Sequence, residues 1–316
     1  MADIYSANDV LHHGLLNAGI SEDSQNGMGP AVCREIFRSL HGSPPEVCAE
    51  MWQDMCDSDV DSVRIPEGER GWKSMRLFLI AHHELWAYPK NRRIIQVLFH
   101  PIGEKDTYGK NLWEWIGRIC ALLPTKIRWQ DRFDDPEAEI FVVTVDGVDC
   151  RTHEKRDHPL FPFDKQRHSH KFAGAALKYE IAVAIYSNHI VWVNGPFKGG
   201  KHDLTILREG QGDGSGSLLD MIPQGKLLVT DRGYKTGKED EMRKIAYKRD
   251  DDPIELKRFK GRVTCRHETV NSKIKQFECV SQIFRHGEEK HEMAFKAVCV
   301  IVQYHLDMGV ATLYEI

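Results

Sequence analysis

The chain has 316 residues, of which 41% are hydrophobic and 28% are charged, a composition that is ordinary for a globular protein of two or three domains. No apolar stretch reaches the roughly 18 to 20 residues of a membrane span, and the first residues lack a signal pattern. The eight cysteines occur without a CxxC pair, which favours reduced thiols. We therefore expect an intracellular protein with no membrane partner.

The net charge of −4 is unevenly distributed along the chain. Residues 1–72 contain 13 acidic and 4 basic residues, so the remainder carries a net charge of +5. Residues 253–285 hold 8 basic and 3 acidic residues. Such a basic stretch can bind a phosphate backbone, although a solvated charged face would have the same composition. The acidic region could instead serve a protein partner.

The N-terminal region, residues 1–72, is predicted to be acidic, partly disordered and partly helical. Residues 1–30 are polar with weak periodicity, which is typical of disorder. Apolar spacing then predicts short amphipathic helices at 31–40 and 45–55.

A second helical region is predicted at residues 73–125. The periodicity indicates helices at about 72–87, 91–99 and 109–122, with a break at 101–103. This order suggests a helix-turn-helix module that binds double-stranded DNA, although three short helices also form ordinary support domains. Lys110 and Arg118 are eight residues apart, so both could reach phosphates from one helix face, with Trp113 and Ile116 pointing inward.

From residue 138 the pattern changes to strands. We predict strands at 139–146, 150–155, 178–187, 189–195 and 226–231, and helices near 203–209, 236–246, 266–284 and 288–308. Adjacent strands followed by alternating strand and helix fit a mixed α/β, RNase H-like domain over residues 138–316.

Three acids occupy conspicuous positions in this domain. Asp146 follows the apolar run 140–145, Asp231 follows 226–230, and Glu268 stands where a helical pattern opens. Continuous apolar runs are typical of strands buried on both faces. Two acids about 4 Å apart at such strand ends would repel by roughly 4 kcal/mol at an effective dielectric near 20, so their convergence implies a cation. Carboxylate ligands favour Mg²⁺ or Mn²⁺.

These residues resemble the motifs of the DDE superfamily of transposases, specifically the Harbinger-like branch. Asp146 lies in a Val-Asp-Gly motif, Asp231 in an Asp-x-Gly-Tyr motif, and Glu268 is followed seven residues later by Lys275. Asp231 and Glu268 are 37 positions apart. Supporting motifs are Ser169-His170-Lys171-Phe172, Trp192-Val193-Asn194-Gly195-Pro196-Phe197, Arg266-His267-Glu268-Thr269-Val270-Asn271 and Lys275-Gln276-Phe277.

The resemblance implies an RNase H-like fold and a nuclease that cleaves DNA phosphodiester bonds, with strand transfer as a possible second step. Asp146, Asp231 and Glu268 would be the catalytic residues and would hold two Mg²⁺ or Mn²⁺ ions. An organic cofactor is not implied. The expected partner is double-stranded DNA, the expected location is intracellular and nuclear in a eukaryote, and a homo-oligomer is possible.

The chain also departs from the family pattern. Thr230 replaces the usual alanine before Asp231, and Thr264 replaces an arginine four positions before Glu268. Arg262 and Arg266 bracket that position and are candidates for the phosphate contact. Lys171 and Lys275 are further candidates for DNA contacts near the site.

Several alternatives accompany this hypothesis. Asp203 could replace Asp231 as the second acid, but its place before an apolar helical run favours a helix N-cap. Asp149 is interpreted as a turn residue. His168, His170 and His267 could suggest zinc, but they lack the paired spacing of structural zinc sites. A domesticated, non-catalytic DNA-binding or adaptor protein could retain the same fold.

Overall fold

The computed structural model describes residues 5–90, 105–133, 139–153, 165–210 and 216–316. The chain divides into two compact units. The helical unit contains residues 1–126, 276–279 and 289–308, and the sheet unit contains residues 127–275, 280–288 and 309–316. Each unit therefore includes segments that are distant in sequence.

In the residues that the structure describes, the helical unit begins with seven helices. They are α1 (Ala7–Asn17), α2 (Glu22–Met28), α3 (Pro30–His41), α4 (Pro45–Asp57), α5 (Trp72–Ala87), α6 (Lys105–Ala121) and α7 (Leu123–Lys126). The sequence predicts that residues 1–30 are partly disordered, whereas most of residues 7–28 are helical, in α1 and α2. Serine caps start both helices, Ser6 accepting from the Asp9 N–H and Ser21 from the Ser24 N–H. Val10 and Leu15 of α1 are fully buried, and this burial adds to the stability that the caps give.

Two helices complete the C-terminal part, α12 (Glu278–Ser281) and α13 (Glu288–Asp307). Almost every residue of α13 from Ala294 to Leu306 is buried, which is typical of a helix surrounded by other helices. Helix α13 belongs to the helical unit, whereas the sequence predicts one domain over 138–316. In the described parts of the chain, no helix is long and apolar enough to cross a membrane. All eight cysteines are free thiols.

The proposed DNA-binding module is described only in part. Helix α5 has the predicted bounds, whereas the predicted helix at 91–99 lies outside the described residues. In α6, Trp115 and Ile116 are buried, and Trp115 stacks on Trp52 with 5.8 Å between ring centroids. The sequence placed Trp113 inward, but Trp113 is only half-buried and the Lys290 ammonium lies 4.8 Å from its ring.

The sheet unit is built on a mixed sheet of six strands. They are β1 (Phe141–Arg151), β2 (His168–Ser169), β3 (Gly174–Ala184), β4 (Ile190–Lys198), β5 (Leu227–Thr230) and β6 (Ile245–Tyr247). The order is β2-β3-β1-β5-β6, with β4 also paired to β3. β1 pairs antiparallel with β3 and parallel with β5, and β5 pairs parallel with β6.

Four described helices pack on this sheet. They are α8 (Asp203–Leu207), α9 (Leu218–Met221), α10 (Glu239–Met242) and α11 (Ile254–Lys275). Val143 and Val145 of β1 pack in one apolar cluster with Leu207 of α8. Val229 of β5 packs with Val263 of α11 in another. The two clusters define an α8 face and an α11 face of the sheet.

Three predicted elements of this unit are corrected. The strand from 139 continues to Arg151, so residues 147–149 do not form a turn. The helix predicted at 236–246 is the short α10 followed by β6, because Ile245 to Tyr247 extend the sheet beside β5. The helix predicted to open at 266 begins at Ile254 and ends at Lys275, so Glu268 lies within the helix.

Candidate active site

Asp146 and Asp231 occupy equivalent positions on neighbouring parallel strands. Thr144 of β1 pairs with Val229 of β5, and each acid lies two residues beyond its paired residue. β5 ends at Thr230, whereas β1 continues to Arg151. The two acids therefore lie where β1 loses its β5 neighbour, which leaves an open edge beside them.

The Asp146 carboxylate is fixed by two donors. Its Oδ1 accepts from the Gly147 N–H at 2.8 Å, and its Oδ2 accepts from Asn271 Nδ2 of α11 at 3.1 Å. Burial raises the pKa of Asp146, and the charge of Asp203 raises it further, while Lys171 and Lys275 oppose the shift. Among the described residues, Asn271 Oδ1 is buried and has no hydrogen-bond partner. Asn271 therefore orients the first acid and presents a second oxygen beside it.

Asp231 begins the short 3-10 turn Arg232–Tyr234. Its Oδ1 accepts from the Gly233 N–H at 2.8 Å, which holds the carboxylate over the turn. Desolvation raises the pKa of Asp231, and the nearby charges of Asp146 and Asp203 raise it too. The charge of Asp146 therefore reaches Asp231 across the open edge of β1.

Asp203 is the third acid in this neighbourhood. It is the first residue of α8, and the structure corrects its assignment as a helix cap: the N-cap is His202, which makes no side-chain cap bond. Its Oδ1 accepts from Lys178 Nζ at 2.9 Å, and Lys178 also donates to the Lys201 carbonyl at 3.1 Å. The carboxylate is thereby directed toward the strands instead of toward the backbone of its own helix.

Two glycines leave space for the Asp203 carboxylate. A Cβ at Gly147 would lie 3.1 Å from Asp203 Oδ1. A Cβ at Gly233 would lie 3.2 Å from Asp203 Oδ2 and 3.0 Å from Asp231 Oδ1. A larger residue at either position would have to displace a carboxylate. The glycine after Asp146 and the glycine two residues after Asp231 are thus explained by the same side chain.

More acids lie on the α8 face beneath Asp203. Glu180 of β3 pairs with Gly147 of β1 and is 1% exposed; it accepts from Trp192 Nε1 at 3.1 Å. Burial raises the pKa of Glu180 to about 8, so it is largely protonated at neutral pH. Asp149 lies in β1, which corrects its assignment to a turn, and its Oδ1 is 3.9 Å from Lys178 Nζ.

Glu268 is placed differently from the other acids. It is exposed on α11, while its neighbour His267 is 1% exposed, and burial lowers the pKa of His267 to about 4. Asn271, three residues later, is the α11 side chain that contacts Asp146. The structure thus brings together Asp146, Asp203 and Asp231, and it leaves Glu268 on the solvent side of the helix.

The predicted DNA-contacting residues fall into two groups. Lys110, Lys171 and Arg262 are exposed. Lys275 is half-buried, and desolvation and then the charge of Lys171 lower its pKa. Arg266 and Arg118 instead have internal partners.

Arg266 is 3% exposed and donates to backbone carbonyls of the sheet unit. Its acceptors include Tyr314 O at 2.6 Å, Asn188 Oδ1 at 3.0 Å and Ala184 O at 3.4 Å. A guanidinium used in this way holds the end of β3 and the C-terminal segment and is not accessible to DNA.

The Arg118 guanidinium likewise has its partners within the helical unit. Its guanidinium donates to the Arg64 carbonyl and to Glu114 Oε1 at 3.2 Å, and it lies 5.3 Å from the Trp115 ring. The side chain is 15% exposed. Its role in this structure is to join the segment at Arg64 to α6.

The carboxylates of these acids are chemically suited to a hard divalent cation. Carboxylate oxygens are the ligands that Mg²⁺ and Mn²⁺ prefer, and a cation would oppose the upward pKa shifts of Asp146 and Asp231. Across the described ranges, however, no three histidine, cysteine, aspartate or glutamate side chains stand at metal-binding distances. A cation at the acids would require side-chain movement, which rotamer changes can supply.

The sequence reasoning missed several residues of this site. The sequence favours a helix N-cap for Asp203, and it indicates no role for Lys178, Glu180 or Asn271. Among these residues, only Asp203 could have been found from the sequence, because it is the alternative to Asp231 as the second acid. Asn271 lies within a motif that the sequence displays, but its contact with Asp146 depends on how α11 packs on β1.

The comparisons with known proteins bear on half of the chain. A family model described as DDE superfamily endonuclease matches residues 145–303, from the residue before Asp146 into α13. The search of curated proteins and the search of solved structures both find no match. The matched region includes Asp146, Asp203, Asp231 and Glu268. The chain belongs to the DDE superfamily endonuclease family.

Proposed function

We propose that the protein is a divalent-metal-dependent endonuclease of the transposase type that cleaves phosphodiester bonds in double-stranded DNA. The observation that carries this proposal is the equivalent placement of Asp146 and Asp231 beyond paired residues of two parallel strands, each with a raised pKa. Acids with raised pKa values at an open sheet edge are typical of functional sites.

Each residue has a role that its contacts support. Asp146 and Asp231 are the first two metal ligands, and Asn271 holds the Asp146 carboxylate in place from α11. Bound Mg²⁺ or Mn²⁺, as two ions, would supply an activated water or 3′-hydroxyl and stabilise the leaving oxygen. Lys171 and Lys275 act on Asp146 electrostatically and so lie close enough to attract a DNA phosphate. Strand transfer would use the same residues.

The topology supports an RNase H-like fold for the sheet unit. Three antiparallel strands, β4, β3 and β1, are followed by the parallel β5 and β6, with the long α11 against β1 and β5. The Harbinger-like branch is proposed from the Val-Asp-Gly and Asp-x-Gly-Tyr motifs. A Cβ at the glycine of either motif would crowd the Asp203 carboxylate, so both motifs lie beside this side chain.

A second candidate function is a domesticated, non-catalytic DNA-binding protein with the same fold. The exposed position of Glu268 favours it, as does the absence, in the described residues, of three ligands at metal-binding distances. Such a protein would bind DNA without cleaving it, and the acidic residues 1–72 would be available to a protein partner.

Nicking of supercoiled plasmid by the full chain distinguishes the two functions. The endonuclease proposal expects nicking with Mg²⁺ or Mn²⁺, none with EDTA, and none by Asp146→Asn. Asp240→Asn is the matched control, because Asp240 is an exposed aspartate on α10 in the same unit. Wild-type protein that binds plasmid without nicking it supports the non-catalytic candidate. Equal nicking by Asp146→Asn and wild type contradicts the assignment of the site.

A further inference from the structure

We propose that Lys248 binds a DNA phosphate on the Asp231 side of the acids, so that the bound strand crosses the sheet edge from β1 to β6. This inference rests on the proposed function and adds a substrate-binding residue to that site. Lys171 and Lys275 act on Asp146 of β1. Lys248 follows β6, which is two strands away from β1 in the sheet order, so it would supply a phosphate contact on the other side of the acids.

The first support is the register of the three parallel strands. Thr144 of β1 pairs with Val229 of β5, and Val229 pairs with Ala246 of β6. The residues two positions beyond this row are Asp146, Asp231 and Lys248. Because neighbouring strands are about 4.8 Å apart, the sheet edge presents two carboxylates and then an ammonium across roughly 10 Å.

The second support is the set of partners of the Lys248 ammonium. Desolvation raises the pKa of Asp231, and the charge of Lys248 opposes that shift, so the two side chains are close enough to interact. Within the ranges that the structure describes, however, the ammonium makes no hydrogen bond and no ion pair. A half-buried ammonium in this situation is available to an anionic group, and phosphate is an anion that lysine commonly binds.

The third support is the way in which the backbone around Lys248 is held. The buried Lys260 of α11 donates to the Tyr247 carbonyl and to Asp252 Oδ2, both at 2.8 Å. Asp252 Oδ2 also accepts from the Arg249 N–H at 3.0 Å. One ammonium thus joins the residue before Lys248 to the turn that follows it. Backbone held in this way loses little freedom on binding, which is a feature of preorganised sites.

The other charged side chains of the turn after β6 have partners within the protein. The Arg249 guanidinium lies 4.8 Å from the centre of the Tyr247 ring. Asp250 pairs with Arg232. Lys248 is therefore the cation of this turn whose charge reaches Asp231 and whose ammonium has no polar partner in the described part of the chain.

The test is the salt dependence of duplex DNA binding by the full chain in EDTA, measured by fluorescence anisotropy. Lys248→Ala should lower the slope of log affinity against log salt by about one unit, because one phosphate contact is lost. Lys248→Gln, a neutral variant that keeps most of the side chain, should give the same slope. Lys248→Arg, which keeps the charge, should retain the wild-type slope.

Lys244→Ala is the matched control. Lys244 is half-buried like Lys248, but it precedes β6, at the edge of the parallel strands away from the acids. Its replacement should leave the slope unchanged, and circular dichroism verifies that each variant is folded. An equal loss of slope in the alanine variants of both lysines, or no loss in either, would overturn the inference.

A second background separates a DNA contact from charge neutralisation within the protein. Asp231→Asn removes the acid on which Lys248 acts. If Lys248 contacts phosphate, Lys248→Ala lowers the slope in the Asp231→Asn background as it does in wild type. If Lys248 serves only to balance Asp231, the slope does not change in that background, and the inference is wrong.

These titrations require neither metal nor cleavage, so the two proposals can fail separately. Wild-type protein that shows the Lys248 contribution but nicks no plasmid contradicts the endonuclease and supports the DNA contact. Nicking that persists with an unchanged slope in Lys248→Ala contradicts the DNA contact alone. Wild-type protein that binds no duplex DNA overturns both.

Discussion

The two faces of the sheet contribute to the site in different ways. On the α11 face, a helix of 22 residues brings Asn271 to Asp146 and buries Arg266 and His267. On the α8 face, a helix of five residues brings Asp203 to Gly147, above the buried Glu180. Polar groups on the first face hold the structure together, whereas those on the second accumulate negative charge.

The buried polar groups of the two faces are therefore expected to have opposite effects on the stability of the sheet unit. The Arg266 guanidinium is surrounded by carbonyl acceptors, so its removal should destabilise the fold. The buried Glu180 carboxyl is kept in an unfavourable environment, so its replacement should stabilise the fold. Destabilising groups that persist in a fold are often retained for activity. Variants on each face therefore test the comparison.

The largest loss of stability is expected for Arg266→Met on the α11 face. The change leaves the carbonyls of Tyr314 and Ser187 without their donor. Each buried acceptor left unsatisfied costs about 1–3 kcal/mol, so the free energy of unfolding should fall by about 3 kcal/mol. Urea unfolding followed by circular dichroism measures it.

Arg262→Met is the control for this prediction. Arg262 is exposed on the same helix, one turn earlier, and its replacement should change stability by no more than about 0.5 kcal/mol. Equal stability of the two variants would show that Arg266 does not hold the end of β3 and the C-terminal segment.

Glu180→Gln on the α8 face should have the opposite sign. The pKa of Glu180 rises from an ordinary value of 4.5 to about 8 in the folded chain. Between these values the folded state keeps a proton that the unfolded state releases, so stability falls as pH rises through this window. Its slope is about 1.4 kcal/mol per pH unit for one proton. Glutamine keeps an acceptor for Trp192 and removes the titration.

The measurement is urea unfolding of wild type and Glu180→Gln at several pH values from 5 to 8. The stability difference should be smallest at pH 5 and should favour the variant increasingly toward pH 8, because above pH 4.5 the unfolded chain releases the proton that folded Glu180 keeps. Parallel pH profiles for the two proteins would mean that Glu180 is ionised in the folded chain and that the α8 face tolerates its charge.

The same comparison shows what could be predicted from the sequence. Asp146 and Asp231 each follow an apolar run, so local pattern was enough to place them at strands, and the longest helices were found with shifted bounds. Asp203 needed more, because its carboxylate reaches the site only through the packing of α8 and the room at Gly147 and Gly233. A five-residue helix carries too little periodicity to reveal which way its first side chain points.

Glu268 and β6 show the same limit. A helical pattern indicates that Glu268 is in a helix, but its exposure depends on which face α11 turns to the sheet. The short strand β6 was predicted as helix because three residues cannot express an alternating pattern, and only pairing with β5 makes it a strand. Contacts between distant segments determined both outcomes.

Asn271→Ala should affect activity more than stability. Without its amide, Asp146 Oδ2 loses the donor at 3.1 Å and the first acid is free to rotate. Loss of a group that orients a metal ligand typically costs about 10- to 100-fold in affinity or activity, so the nicking rate should fall by that range. Asn271→Asp, which cannot donate in its ionised form, should not restore it. A nicking rate equal to that of wild type would show that Asp146 needs no support from α11.

The smallest effect is expected for Lys275→Ala, at the C-terminal end of α11. Lys275 is half-buried and its charge acts on Asp146, so it is positioned to contact a phosphate beside the acids. The logarithm of DNA affinity falls with the logarithm of salt concentration by about 0.9 for each phosphate contact in duplex DNA. Removing this contact should lower the slope by about one unit and leave Mn²⁺ affinity unchanged.

Fluorescence anisotropy of labelled duplex DNA at several salt concentrations gives the slope. Lys257→Ala is the control, because Lys257 is exposed in the first turns of the same helix and donates to the Asp250 carbonyl. If both variants lower the slope equally, α11 attracts DNA through its general positive charge. A slope that changes only in Lys275→Ala places a phosphate beside Asp146, on the α11 face, opposite the carboxylates of the α8 face.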